Sequence, residues 1–138
     1  MKIKQISVFL EDSPNRLSEL AALVAREGIN IKAISFTESE DISILRLIVN
    51  NYDNALKVLD EANFTTRVSD VAAIEINDTP GGFAGIMELL DKTGAAVENL
   101  YTAGTAAAGK AILILKLRNH HEGLRILREN GLSLLENL

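Results

Sequence analysis

The sequence predicts an α+β protein built from two βαββαβ units, each an antiparallel sheet with two helices on one face. Three observations lead there. Residues 4–38 laid over residues 70–104, at an offset of 66, place Asp12, Pro14, Leu17, Leu23 and Gly28 on Asp78, Pro80, Phe83, Leu89 and Gly94. After a two-residue insertion the offset becomes 68, and Ile44, Leu45, Asn51, Leu56 and Leu59 fall on Ile112, Leu113, Asn119, Leu124 and Leu127. Within each copy, β-branched stretches are interleaved with stretches whose apolar residues recur at three and four. The chain is therefore a duplication of a unit of about 68 residues, with copies at 1–69 and 70–138.

The elements follow in order. Residues 3–10 alternate Ile3, Gln5, Ser7 and Phe9 with Lys4, Ile6, Val8 and Leu10, as a strand with one well-buried face would. Residues 71–76 repeat it. Asp12-Ser13-Pro14 and Asp78-Thr79-Pro80 then offer a hydroxyl able to cap and a proline at the first helical position, where its missing N–H costs nothing. Leu17, Leu20, Leu23 and Val24, like Phe83, Ile86, Leu89 and Leu90, form one apolar stripe, and Gly28 and Gly94 stop the helices.

Two β-branched stretches, 29–37 and 42–49, flank the polar turn Glu38-Ser39-Glu40-Asp41 and read as a hairpin. Their counterparts are 97–103 and 111–117, around a loop that holds the insertion. Residues 51–63 and 119–131 read as second helices with Leu56, Leu59, Leu124 and Leu127 facing inward, and 64–68 and 132–135 as last strands. Only Ser69-Asp70 separates the last strand of the first copy from the first strand of the second. The plan of each unit is ferredoxin-like.

Composition narrows the function. At 47% hydrophobic the chain can bury a full core, and with no cysteine it has neither a disulfide framework nor a thiolate nucleophile, which suits a cytoplasmic protein. A net charge of -5 with scattered Lys and Arg argues against nucleic acid as a partner, and no segment is apolar enough to span a membrane. With 4% aromatic residues the sheet is not an RNA-binding platform. The only histidines, His120 and His121, are neighbours at a helix start and point about 100° apart, which reads as solvated or locally capping side chains. No metal, cofactor or catalytic constellation is expected.

What remains is a small-ligand site at the turn before the first helix of a unit. A helix N-terminus presents unpaired N–H groups and the positive end of the dipole, which together receive a carboxylate. In the second copy that terminus is Thr79-Pro80-Gly81-Gly82-Phe83, whose glycines leave the backbone open to a ligand.

Asp78-Thr79-Pro80-Gly81-Gly82-Phe83 after a strand, Gly28-Ile29-Asn30-Ile31 after a helix, and the duplicated βαββαβ plan together resemble the ACT domain family of amino-acid-sensing modules. The resemblance covers nearly the whole chain. It implies a stand-alone tandem ACT protein, non-catalytic, homodimeric, and regulatory toward a partner enzyme. It also implies that an amino acid binds between two ACT units, the loop after the first strand of one holding the ligand's charged backbone groups and the Asn of the other's Gly-Ile-Asn-Ile segment adding a hydrogen bond.

Carried over residue by residue, that implication is unequal between the copies. Asp78, Thr79, Pro80, Gly81, Gly82 and Phe83 with Asn30 and Ile31 make one intact composite site. Asp12, Ser13, Asn15 and Arg16 with Ala96 make a degraded one, because Asn15 replaces the usual Gly and Ala96 stands where the Asn belongs. The alternative function is a ligand-free interaction or dimerisation module for a partner enzyme, which those two replacements favour.

Overall fold

In the computed structural model, which describes residues 3–11, 15–104 and 106–138, the chain divides into two compact units: Lys4–Ser69, and Asp70–Leu138 together with Ile3. The N-terminal unit holds β1 (Ile3–Leu10), α1 (Arg16–Arg26), β2 (Ile31–Thr37), β3 (Ser43–Val49) and α2 (Tyr52–Glu61). After β4 (Thr65–Asn77), the C-terminal unit adds α3 (Gly82–Thr93), β5 (Val97–Thr102), β6 (Lys110–Leu117) and α4 (His120–Glu129). Both units have the βαββαβ order, the last element of the C-terminal one being reduced to a single bridge, and the β1–β3, β2–β3, β4–β6 and β5–β6 pairings are antiparallel. β3 lies between β1 and β2, with Val8 opposite Leu45; β6 lies between β4 and β5, with Ile74 opposite Leu113.

The helix-facing side of each sheet follows from alternation. Ile6, Val8 and Leu10 of β1 share a core with Leu45 and Leu47 of β3, covered by Leu20 and Val24 of α1 and by Ala55 and Leu59 of α2. Ala72 and Ile74 do the same with Leu113 and Leu115, under Ile86 and Leu90 of α3 and Leu127 of α4. Each such leucine or isoleucine contributes about 1.5–3 kcal/mol by leaving water. Of the expected inward residues, Leu59 and Leu127 are fully buried, whereas Leu56 and Leu124 are half-buried at the margins.

Five expectations need correction. The helices α1 and α3 begin two residues later than the prolines suggest. Their N-cap positions, Asn15 (φ 73°) and Gly81 (φ 94°), are left-handed, and in the C-terminal unit Thr79-Pro80-Gly81-Gly82 forms a type II β-turn closed by the Gly82 N–H on the Thr79 carbonyl at 3.0 Å. Pro followed by Gly is the preferred centre of that turn, and it competes successfully with helix initiation. The first apolar position of each stripe is consequently exposed: Leu17 retains 43% and Phe83 47% of its accessible surface, because the stripe runs past the covered part of the helix.

Secondly, Ser69-Asp70 does not interrupt the chain; the two stretches read as separate strands are one, β4. Neither glycine nor proline stands at or beside that join, so nothing forces the extended chain to break there. Thirdly, the last predicted strand, 132–135, is a single bridge of Leu134 to Ile74, with hydrogen bonds Glu75 N–H to Ser133 O (3.3 Å) and Leu135 N–H to Ala73 O (2.8 Å). Fourthly, β1 is buried on both faces: Ile3, Gln5 and Ser7 are buried on the side away from Ile6 and Val8, with Phe9 half-buried beside them.

Lastly, the second helices start one residue after their asparagines, which are caps. Asn51 Oδ1 accepts the Asn54 N–H at 3.2 Å and Asn119 Oδ1 accepts the Glu122 N–H at 3.1 Å. Among the described residues no helix is long and apolar enough to cross a membrane.

Candidate functional site

The four helices differ in how their first turns are satisfied, and that difference locates the site. α2 and α4 are closed by their own asparagines, while α1 and α3 have no side-chain cap. In α3 the Gly82 N–H goes to Thr79 O and the Gly85 N–H to Gly81 O. The N–H groups of Phe83 and Ala84 have no acceptor among the described residues. Two free donors at the positive end of a helix can receive a carboxylate.

The two glycines of the loop serve different purposes. A Cβ on Gly82 would stand 2.1 Å from the Asn77 carbonyl oxygen, so this glycine lets α3 close onto the end of β4 and is used by the protein's own backbone. A Cβ on Gly81 would meet nothing within 4 Å. The open approach attributed to both glycines belongs to Gly81 alone.

Around this turn lies an open cavity of about 350 Å³ in the C-terminal unit. Its wall comprises Glu75, Ile76 and Asn77 of β4, Gly81, Gly82 and Ile86 of the turn and α3, Lys110 at the start of β6, and residues 131–133 after α4. The Lys110 ammonium donates to Asn77 Oδ1 at 2.7 Å, and the Asp78 N–H donates to Gly109 O at 2.9 Å, so the hairpin is laced to the turn. Asp78, Thr79 and Pro80 are exposed on the rim. Sequence reasoning missed Glu75, Asn77 and Lys110. The signal was present in Lys110 as the one charge at the head of the apolar run Ala111–Leu115, directly opposite Asn77 in register.

The remaining candidates lie in the N-terminal unit or in β5. Asn30 is exposed just before β2; its N–H donates to Asn50 Oδ1 and its carbonyl accepts the Asn50 N–H, both at 3.1 Å. Its side chain makes no hydrogen bond among the described residues, which leaves an amide available. Ile31, half-buried, opens β2. Asp12 and Ser13 lie outside the described residues. Asn15 occupies the same left-handed position as Gly81.

Arg16 is committed to the fold. Its guanidinium lies 3.8 Å from the Phe64 ring centroid, pairs with Glu19 at 2.8 Å and reaches Asn63 O at 3.5 Å. Ala96, half-buried, presents its carbonyl to the Arg118 N–H at 2.9 Å.

The perturbed carboxyls are elsewhere. Glu98 is held below its ordinary value by the hydrogen bond from Lys116, and Glu122 below its own by the hydrogen bond from Arg125, whose pKa is pushed up in turn by Glu122 and Glu129. These are surface ion pairs that brace β5–β6 and α4. Among the described residues no group of three or more His, Cys, Asp or Glu is placed to hold a metal ion.

Two βαββαβ units with an uncapped first helix behind a left-handed turn define a protein of the tandem ACT class. The chain belongs to the ACT domain pair family, whose pattern matches residues 1–138. It is 25% identical, over 95% of its length and 90% of the relative's, to the acetolactate synthase small subunit of Mycobacterium bovis. Its fold resembles protein BT0572 from Bacteroides thetaiotaomicron with a TM-score of 0.89 and 32% identity, over 98% of this chain and 92% of that one. The regulatory subunit of aspartate kinase from Thermus thermophilus shares the fold at a TM-score of 0.66 and 17% identity, with 94% and 93% covered.

Proposed function

We propose that the protein is a non-catalytic, cytoplasmic regulatory subunit that binds an amino acid and passes the signal to a separate biosynthetic enzyme, acting as a homodimer. The observation that carries this reading is the first turn of α3, where two N–H donors lack acceptors among the described residues, behind a glycine with open space on its Cβ side. The ligand's carboxylate sits on those donors. Asn30 of a partner unit supplies the amide, and the exposed Phe83 offers an apolar surface beside the turn. Ligand that binds one arrangement of units more tightly shifts the population toward it, which is the only way binding reaches an enzyme that does not itself touch the ligand. The small-subunit and regulatory-subunit relatives support a partner enzyme in amino-acid synthesis.

A second reading, a ligand-free module that only pairs with its enzyme, is favoured by Asn15 and Ala96 in the other half of the duplicated site. Binding separates the two. A thermal-shift screen against the common amino acids should show one ligand adding about 2.7 kcal/mol at a hundredfold excess over Kd. Calorimetry should then find that Gly81→Asn and Asn30→Ala each weaken that ligand, while Asn15→Gly, which keeps the left-handed backbone and removes a side chain, does not. Absence of any amino-acid binding leaves the interaction module as the function.

A further inference from the structure

The C-terminal unit has another cavity, of about 340 Å³, between α4, β4 and the residues after Ser133. It follows from the early end of the last strand. In the N-terminal unit the segment after the second helix runs on from Thr65 as β4. The matching segment of the C-terminal unit makes one bridge, Leu134 to Ile74; its last backbone hydrogen bond to β4 among the described residues is Leu135 N–H to Ala73 O at 2.8 Å, and the chain bends at Glu136. Where a full strand would continue past Val71 and Ala72, the cavity stands instead.

From α4 the wall takes His120, His121, Leu124 and Arg128, which fall within an arc of about 100° on one side of the helix. Leu124 and Leu134, both half-buried, give it apolar surface. Both ring nitrogens of His120 are buried, whereas His121 and Arg128 are exposed. The two arginines of α4 are used differently: Arg125 is held by Glu122 and Glu129, while Arg128 makes no ion pair among the described residues. Glu136, exposed, is the one carboxylate that the described residues bring to the wall. A guanidinium with its fork of donors unused, next to leucine surface, complements a carboxylate or phosphate group carried on a hydrocarbon body.

We propose that this cavity is a ligand site separate from the α3 turn, and that it takes a small organic monoanion. Arg128 receives the charged group, Leu124 and Leu134 the hydrocarbon body, and His121 stands at the mouth. A volume of about 340 Å³ suits a ligand of that size. Glu136 repels a second negative charge, which selects a monoanion over a dianion. The duplication supplies an internal control. At the offset of 68 the counterparts of His120, His121, Leu124 and Arg128 are Tyr52, Asp53, Leu56 and Asp60. The leucine that packs is kept, and the basic positions are acidic. Since α2 forms with those residues, the helix does not require the basic side chains of α4, and the N-terminal unit has no seat for an anion there.

The test is calorimetry on the full chain with four probes: hydrocinnamate, its uncharged amide, phenyl phosphate and inorganic phosphate. Hydrocinnamate should bind in the millimolar range, phenyl phosphate less tightly, and inorganic phosphate least, having no body to bury. Arg128→Met should raise the Kd of hydrocinnamate about tenfold, as loss of a charge-assisted hydrogen bond does, and leave the weaker binding of the amide unchanged. Glu136→Gln should lower the Kd of phenyl phosphate, and that of hydrocinnamate less. Opposite responses to two substitutions at exposed side chains, graded by the probe's charge, mark contact with the ligand, and a general loosening of α4 would not produce them. Asp60→Asn in the N-terminal unit and Gly81→Asn at the α3 turn should leave hydrocinnamate unaffected. The site is overturned if neither organic anion binds the parent, if Arg128→Met leaves hydrocinnamate unchanged, if inorganic phosphate binds as tightly as the organic anions, or if Gly81→Asn abolishes the binding and so places the anion at α3. Each of those results leaves the amino-acid reading standing, because that reading rests on α3 and is decided by the amino-acid screen.

Discussion

A methyl group placed on Gly82 should destabilise the protein, although the same change three residues later should stabilise it. The added Cβ at Gly82 would lie 2.1 Å from the Asn77 oxygen and 3.1 Å from its carbonyl carbon. The closest ordinary carbon-to-oxygen contacts are about 3.3 Å, so the backbone must open by roughly 1 Å. The groups that would have to give are the end of β4 and the type II turn, whose closing hydrogen bond, Gly82 N–H to Thr79 O, is only 3.0 Å long. Overpacking of this kind costs about 1–3 kcal/mol, and the strained hydrogen bond about 1 more. Against this stands a helix-propensity gain of up to about 1 kcal/mol for alanine over glycine.

Gly82→Ala should therefore lose about 1–3 kcal/mol net. Gly85→Ala lies in the same helix with nothing within 4 Å and no positive φ. It should gain about 0.5–1 kcal/mol by restricting the unfolded chain. Urea unfolding followed by circular dichroism reads both changes from the transition midpoints. Gly82→Ala as stable as the parent would refute the close approach of α3 to Asn77, and with it the division of roles between the two glycines.

The helix stripes give a second expectation: Leu20→Ala and Leu90→Ala, each at a side chain 2% exposed, should cost about 2–5 kcal/mol, and Leu89→Ala, only half-buried, distinctly less in the same urea assay. Equal losses at Leu89 and Leu90 would mean that the phase of α3 is wrong. Acid should remove the surface ion pairs. Glu98 and Glu122 have pKa values below the ordinary 4.5 in the folded chain, so their contribution is full above that value and fades as pH falls through their folded values. The Tm difference between the parent and Lys116→Met should thus be present at pH 6 and shrink as the pH falls below the ordinary carboxylate range; a difference that does not change with pH would exclude the Lys116 pair as its source.

The local chemistry of this chain is legible wherever a residue acts on its own neighbours. Asn51 and Asn119 cap the helices that follow them, Gly28 and Gly94 end helices at positive φ, and the apolar spacing selects Leu20, Val24, Ile86 and Leu90 for the core. What escapes the sequence is competition and cover. Ser-Pro and Thr-Pro describe a helix start as well as a turn, and only the left-handed conformation of the residue after them decides. Gln5 and Ser7 look solvent-facing because alternation reports polarity, whereas burial depends on distant residues. The cavity was hidden for a related reason: Asn77 and Lys110 are 33 residues apart and meet only through the register of β4 with β6.

The two left-handed turns make one further distinction possible. Asn15 and Gly81 hold nearly the same backbone conformation, φ 73° and ψ -1° against φ 94° and ψ -16°. Asparagine is the residue other than glycine that enters this region at least cost, so the turn can be built without a glycine, and the N-terminal unit builds it that way. Conformation alone therefore does not account for Gly81. What glycine adds over asparagine at that point is the absence of a side chain from space that no atom of the protein fills. In the C-terminal unit that space is left open, whereas in the N-terminal unit an asparagine holds the equivalent position of the turn.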